Sequence, residues 1–203
     1  MKTNLLPLAK EGINYFFISL GLFLLFFILD FDFLAFVTFL VTLYIGYAFR
    51  NPERELSVFE SGSLVSPVDG VVESITELEN DEYAYMVEIQ SSCTDVGVLR
   101  VPANAKVSQV SKRNGTRVSK SSKLYSSLNE NKEDNSFKVV HRLKQSFASL
   151  FIELTEAQDV LQIARYGMML NGATTIYLPQ NFRINVSVGS ELKASESLMG
   201  YFS

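Results

Sequence analysis

Few residues in this chain could do covalent chemistry. Its 203 residues include one cysteine, Cys93, and one histidine, His141. A single cysteine excludes an internal disulfide, and a single histidine rules out a histidine-rich metal site. No group of Cys, His, Asp or Glu has metal-ligand spacing, and no glycine-rich loop suited to a phosphate is present. His141 lies in Val139-Val140-His141-Arg142-Leu143, where a strand histidine is ordinarily a surface or satisfied core residue. Two other stretches carry the interest. Val65-Ser66-Pro67-Val68-Asp69-Gly70-Val71-Val72 sets Asp69 in a turn-forming string between apolar runs. Gly167 to Pro179 holds Gly172, Ala173 and the hydroxyls of Thr174 and Thr175. Met168 to Leu170 and Thr174 to Leu178 are apolar or β-branched, and Asn171-Gly172 between them predicts a hairpin turn.

The elements that must position these residues begin with two apolar runs. A short polar start, Met1 to Gly12, carries Lys2, Lys10 and Glu11. Ile13 to Leu29 and Phe33 to Phe49 follow, separated by Asp30-Phe31-Asp32. Each run is slightly short of the roughly 20 residues of a spanning helix, a shortfall that flanking residues and local thinning absorb. Both are too apolar all round for a surface helix. The first has no small-x-small cleavage site and a second run follows at once, which argues against a signal peptide. The runs therefore predict a helical hairpin in the membrane. Lys2 and Lys10 precede it, Arg50 and Arg54 follow it, and the link carries only acids. Positive residues stay inside, so both ends face the cytoplasm. This places the chain in a bacterial inner membrane with its soluble part at the inner leaflet.

Pro52 ends the second run. Beyond it, Tyr83 to Ile89, Phe137 to Leu143 and Ser146 to Leu154 read as strands, and Thr155 to Ala164 as a short helical piece. Asn181 to Ser203 reads as two short strands around turns. Ser111 to Asn135, rich in Ser, Lys, Asn and Glu, reads as a mobile loop with solvated charges. Val101 to Val107 faintly echoes Ser66 to Val72. The net charge of −4, without clustered Lys and Arg, argues against a nucleic-acid partner.

Several of these strings resemble the phosphatidylserine decarboxylase family, in its short, membrane-anchored bacterial form. Arg50-Asn51-Pro52-Glu53-Arg54 is similar to the family's Arg-Asp-Pro-x-Arg. Ser66-Pro67-Val68-Asp69-Gly70-Val71-Val72 is similar to Ser-Pro-x-Asp-Gly-x-Val. Within Ser92 to Pro102, Ser92, Asp95, Val96, Val98, Arg100 and Pro102 match Ser-Pro-Leu-Asp-Val-His-Val-Asn-Arg-Ala-Pro. Gly167-Met168, Gly172 and Leu178-Pro179 match the self-cleavage segment. Glu130-Asn131 is similar to the start of a Glu-Asn-x-Arg element whose Arg is missing, since Lys132 and Glu133 follow. The closing Val186 to Gly200 resembles the family's glycine-punctuated end, with Ser195 at its second glycine.

The resemblance implies a mainly β fold: a membrane hairpin over residues 1–50, then a barrel-sandwich-like decarboxylase domain over 51–203 with little helix. It also implies a chemistry. A family serine attacks the carbonyl of the preceding glycine, elimination cuts the chain, and the new terminus becomes a pyruvoyl group that forms a Schiff base with substrate. Asp69 falls on the family aspartate of the Asp-His-Ser set. The family histidine falls on Gly97, and the cleavage pair on Gly172 and Ala173. Alanine has no hydroxyl to attack with, and glycine is no base. Two missing members imply loss of the chemistry in the natural sequence, so no pyruvoyl cofactor forms. Thr174 has a hydroxyl that could attack the Ala173 carbonyl, but no base for it is evident. The expected role is then binding of membrane phospholipid, phosphatidylserine in particular, or assembly with itself or with lipid-synthesis enzymes. The alternative is an active decarboxylase whose catalytic groups lie elsewhere.

Overall fold

The computed structural model describes residues 7–54, 62–79, 83–111, 126–129 and 136–203. They fall into two compact units, Met1–Glu53 and Arg54–Ser203.

The first unit is a helical hairpin. Helix α1 spans Lys10–Ile28 and α2 spans Asp32–Ala48. The chain segments flanking the pair meet. The Ala9 N–H donates to the Phe49 carbonyl at 2.7 Å and the Asn51 N–H to the Pro7 carbonyl at 2.7 Å. Gly12 makes this approach possible, because a Cβ there would lie 2.3 Å from Phe49 Cβ. Asp30 turns the chain with φ 56°, a conformation that Asp tolerates better than most residues. Phe17, Phe27, Phe33 and Phe36 are each more than half exposed along the two helices. So large an apolar surface suits lipid rather than water. Helix α1 is long and apolar enough to cross a membrane, and α2 is a shorter apolar helix.

The second unit is built of antiparallel strands. Those described are β1 (Ser63–Val65), β2 (Gly70–Glu77), β3 (Tyr85–Ser91), β4 (Val98–Arg100), β5 (Ala105–Val107), β6 (Ser126–Asn129), β7 (Phe137–Leu143), β8 (Phe151–Ile152), β9 (Asp159–Val160), β10 (Arg165–Met168), β11 (Gly172–Leu178), β12 (Phe182–Ile184), β13 (Glu191–Leu192) and β14 (Leu198–Phe202). The large sheet has the order β13-β2-β3-β11-β7-β6-β5-β9; the small ones are β1-β14-β12 and β4-β10-β8. The mainly β expectation with two N-terminal helices holds.

Strand β11 lies inside the large sheet, paired with β3 and β7. Side chains alternate across a strand. Thr174, Ile176 and Leu178 therefore share one face with Ile89 and Val87 of β3 and His141 and Val139 of β7. This face meets the core, where Ile176, Leu178, Val87, Ile89 and Val139 are buried together. Each such side chain contributes about 1.5–3 kcal/mol on burial. Ala173, Thr175 and Tyr177 take the other face, opposite Gln90 and Arg142, Glu88 and Val140, and Met86 and Lys138.

Four local expectations are corrected. The segments around Asn171-Gly172 form no hairpin: β10 pairs with β4 and β8, whereas β11 pairs with β3 and β7. Neither Asn171 nor Gly172 has the positive φ that a tight two-residue turn needs. Asn171 instead ties the crossing down, its carbonyl accepting the Lys144 N–H at 3.0 Å and its amide donating to the Gln145 carbonyl at 2.8 Å. Residues 155–164 are not helical. Their backbone is drawn into contacts with β5 and its approach: the Ala157 N–H donates to the Val107 carbonyl and the Gln162 N–H to Asn104 Oδ1, both at 2.8 Å. Of Ser146 to Leu154, only β8 is strand. Within the polar run Ser111 to Asn135, β6 is strand; Glu130, Asn131, Lys132 and Glu133 lie outside the described residues.

Candidate functional site

Asp69 ends the connection from β1 to β2, which is shaped by Ser66. The Ser66 hydroxyl donates to the Val68 carbonyl at 2.7 Å. Both carboxylate oxygens of Asp69 are engaged. Oδ2 accepts from Arg54 Nη2 at 2.6 Å, and Oδ1 accepts the Ala194 N–H at 2.8 Å. Arg54 Nη1 also reaches Glu196 Oε1 at 3.3 Å. Side-chain exposures of 9% and 12% for Arg54 and Asp69 shelter this pair from solvent. Among the described residues, the carboxylate faces a guanidinium and an amide rather than an imidazole. Ser195, directly after Asp69's partner Ala194, adopts φ 69° and is fully buried, and among the described residues its hydroxyl has no hydrogen-bond partner.

Gly97 precedes β4. Its carbonyl accepts the Met169 N–H at 2.7 Å. A Cβ added at Gly97 would lie 2.9 Å from the Met169 carbonyl oxygen, 3.1 Å from Leu170 Cδ2 and 3.3 Å from Met168 Cε. The position is therefore packed by backbone and by two apolar side chains, and any side chain there requires the Met169 backbone to shift.

Gly172 and Ala173 open β11. A Cβ at Gly172 would lie 2.4 Å from the Arg142 carbonyl oxygen and 2.7 Å from Met169 Sδ, so only glycine fits. The Gly172 carbonyl accepts from Gln90 Nε2 at 3.0 Å, and Gln90 Oε1 accepts in turn from Lys144 Nζ. Ala173, buried, has Gln90 and Arg142 as its cross-strand partners. Ser91, opposite Gly172, donates its hydroxyl to the Asp69 carbonyl at 2.6 Å. Met169 joins Gly97 to Gly172 from the other side. The fold thus gathers Asp69, Gly97, Gly172 and Ala173 around one short stretch, although they lie more than 100 residues apart at the extremes.

Sequence reasoning missed one pair here. His141 is fully buried, with Nδ1 2.8 Å from Thr174 Oγ1 and Nε2 2.5 Å from the Tyr166 hydroxyl. Burial pushes its pKa down to about 3, so the ring is neutral, and raises that of Tyr166 far above its ordinary value. Thr174 therefore has an imidazole within hydrogen-bond distance, but burial makes that ring a weak base. The expectation of a satisfied core histidine holds. Alternation places His141 on the Thr174 face of the sheet, so its side chain and that of Ala173 point to opposite sides. The signal was available: Val139-Val140-His141 and Thr174-Thr175-Ile176 are both strand-forming, but nothing local announces their register. Gln90, Lys144 and the pairing of Arg54 with Asp69 were equally silent.

The family model described as phosphatidylserine decarboxylase matches residues 41–200. The chain is 31% identical over 209 residues to a phosphatidylserine decarboxylase proenzyme of Syntrophus aciditrophicus, covering 96% of this chain and 97% of that protein. It is 27% identical over 206 residues to the proenzyme of Desulfotalea psychrophila, covering 96% of each. It is 28% identical over 211 residues to that of Geotalea uraniireducens, covering 98% and 99%. No solved structure matches. With the match running through Asp69, Gly97 and the opening of β11 alike, the chain belongs to the phosphatidylserine decarboxylase family.

Proposed function

We propose that this chain serves phosphatidylethanolamine biosynthesis without a pyruvoyl group of its own, by binding phospholipid or by assembling with lipid-synthesis enzymes at the inner membrane. One observation carries the reading. A methyl group stands at the family's nucleophile position, while the Gly172 carbonyl before it is still held by Gln90. The attacked group is presented and the attacking atom is absent. The packing of Met169 and Leu170 against Gly97 supports the same reading, because restoring a base there requires moving backbone. The apolar helix α1 supports anchoring beside the lipid head groups, with the β unit on the cytoplasmic side.

The test is the mass of the protein purified from membranes, together with the lipids that it retains through mild detergent extraction. A single unmodified chain, no carbon dioxide released from phosphatidylserine, and retained phosphatidylserine enriched over bulk membrane lipid are expected. Two fragments, the second with a carbonyl at its new terminus, overturn it.

The 2.8 Å contact between His141 and Thr174 favours a second reading, an active enzyme processed one bond further on. Thr174 Oγ1 would attack the Ala173 carbonyl carbon, giving its proton to His141, and the C–N bond would break to leave an ester and a free amine. Removal of the Thr174 α-proton would expel the Ala173 carboxylate and leave an enamine. One water would then convert its imine form to a 2-oxobutyryl group and ammonia. The same mass measurement separates the readings, since this route yields fragments 1–173 and 174–203.

A further inference from the structure

The link from β7 to β8 sets two cations and an aromatic ring close together at the surface. Arg142, Lys144 and Phe147 are all exposed there, Phe147 by 52%. The sequence carries no acid from Arg142 to Ile152, although the whole chain has a net charge of −4. Lys144 is bonded to Gln90, a neutral partner that leaves its charge intact. The turn after β3 lies at the same end of the sheet, since Ser91 and Leu143 both pair with Gly172. The acid of that turn, Asp95, is half-buried and accepts the Ser92 N–H at 2.7 Å.

The loop is braced from within the fold. The Lys144 N–H donates to the Asn171 carbonyl at 3.0 Å, the Asn171 amide to the Gln145 carbonyl at 2.8 Å, and the Ala148 N–H to Ser146 Oγ at 3.2 Å. Leu143, Ala148 and Leu150 are buried on either side of the exposed ring. Phe147 is thus presented by a backbone that need not order on binding, which lowers the cost of association. An exposed Phe flanked by cations fits the boundary of an anionic bilayer. The ring enters the acyl edge, while Arg and Lys stay level with the lipid phosphates. A patch of this size holds a free protein to a membrane only weakly. Here only residues 49–62 separate α2 from β1, a tether of at most about 50 Å. A bilayer that holds the hairpin is therefore present at high effective concentration, and a weak patch suffices.

We propose that the loop from Arg142 to Phe147 docks on the surface of an anionic phospholipid bilayer, with Phe147 inserted among the lipids. Gly172 and Ala173, paired with Leu143 and Arg142, then lie at the docked edge. The inference rests on the membrane anchoring in the reading above, and adds which edge of the β unit meets lipid.

The chain contains no tryptophan, so Phe147→Trp introduces a single reporter. The full-length variant is reconstituted into nanodiscs of phosphatidylcholine, alone or mixed with phosphatidylglycerol, with and without brominated acyl chains. In the anionic discs its emission is expected to shift to shorter wavelength and to be quenched by bromine. Leu161→Trp, at an exposed position outside the loop, should show neither effect. Adding Arg142→Gln or Lys144→Gln should lower the docked-to-free ratio about fivefold for each charge removed. Circular dichroism establishes that each variant is folded; if Phe147→Trp is not, Gln145→Trp takes its place. Equal quenching in pure phosphatidylcholine overturns the assignment to an anionic surface. A shift in lipid-free maltoside micelles that grows with protein concentration gives the loop to a second copy of this chain and overturns the lipid. Carbonate washing of native membranes separates the two readings. A chain that is washed off overturns the anchoring and the docking together, whereas a retained chain with unquenched Phe147→Trp emission in the anionic discs overturns the docking alone.

Discussion

His141 Nδ1 and Thr174 Oγ1 are 2.8 Å apart on adjacent strands of the central sheet, inside the core. Tyr166 closes the other side of the ring at 2.5 Å. A neutral imidazole has one donor and one acceptor nitrogen, so two hydroxyl partners satisfy it completely. The arrangement is stable only while the ring stays uncharged.

The first prediction follows from that condition. The folded-state pKa of His141 is held down to about 3, against 6.5 when unfolded. Between those values the unfolded chain binds the extra proton, so stability is full above about pH 6.5 and is lost as pH falls towards 3. The slope from this group approaches about 1.4 kcal/mol per pH unit. Denaturant unfolding of the β unit at a series of pH values checks it, and His141→Gln should remove that part of the slope.

Restoring the nucleophile alone should not restore processing. Ala173→Ser is expected to stay a single chain by mass, because Gly97 supplies no base and His141 lies on the other face of the sheet. Gly97→His should lower stability by about 1–3 kcal/mol, as overpacking against the Met169 carbonyl requires. The intact mass of Ala173→Ser and the thermal midpoint of Gly97→His test the two statements separately.

The Arg54–Asp69 pair offers a third. Removing one partner of a sheltered ion pair costs about 3–5 kcal/mol, since the other charge is left behind. Asp69→Ala is expected in that range, and it also frees the Ala194 N–H. Replacing both residues, Arg54→Met with Asp69→Leu, should recover part of the loss. A double-mutant cycle of unfolding free energies reads out the coupling.

Ser195 supplies the fourth. It occupies a left-handed conformation at φ 69° with a buried, unbonded hydroxyl. Both features cost free energy, about 1–2 kcal/mol for the backbone alone. Ser195→Gly should therefore raise unfolding free energy by about 1 kcal/mol, measured by denaturant titration.

Much of this was legible in the residues. The two apolar runs marked α1 and α2 to within a few residues at each end, because lipid-length apolar runs have few other uses. Phe137 to Leu143 reads as a strand from its apolar and β-branched residues and is β7. The segment after Leu154 misled, because its helical composition is overruled by hydrogen bonds to Val107 and Asn104, far away in sequence. Asn171-Gly172 misled for a related reason. Local turn chemistry was right for a hairpin, but each flanking strand had better partners in a different sheet. The site divides in the same way. Asp69, Gly97, Gly172 and Ala173 sit in recognisable strings, whereas Gln90, Lys144 and the His141–Thr174 contact depend on register, which no short string encodes.

The passage of the chain from β10 to β11 between two sheets bears on how any break there would look. Residues after Ala173 supply an inner strand of the large sheet and two of the three strands of β1-β14-β12. A polypeptide severed at this point would remain interlaced with its other half through both sheets. On a sizing column the nicked and whole forms would elute together, and only unfolding in detergent would part them.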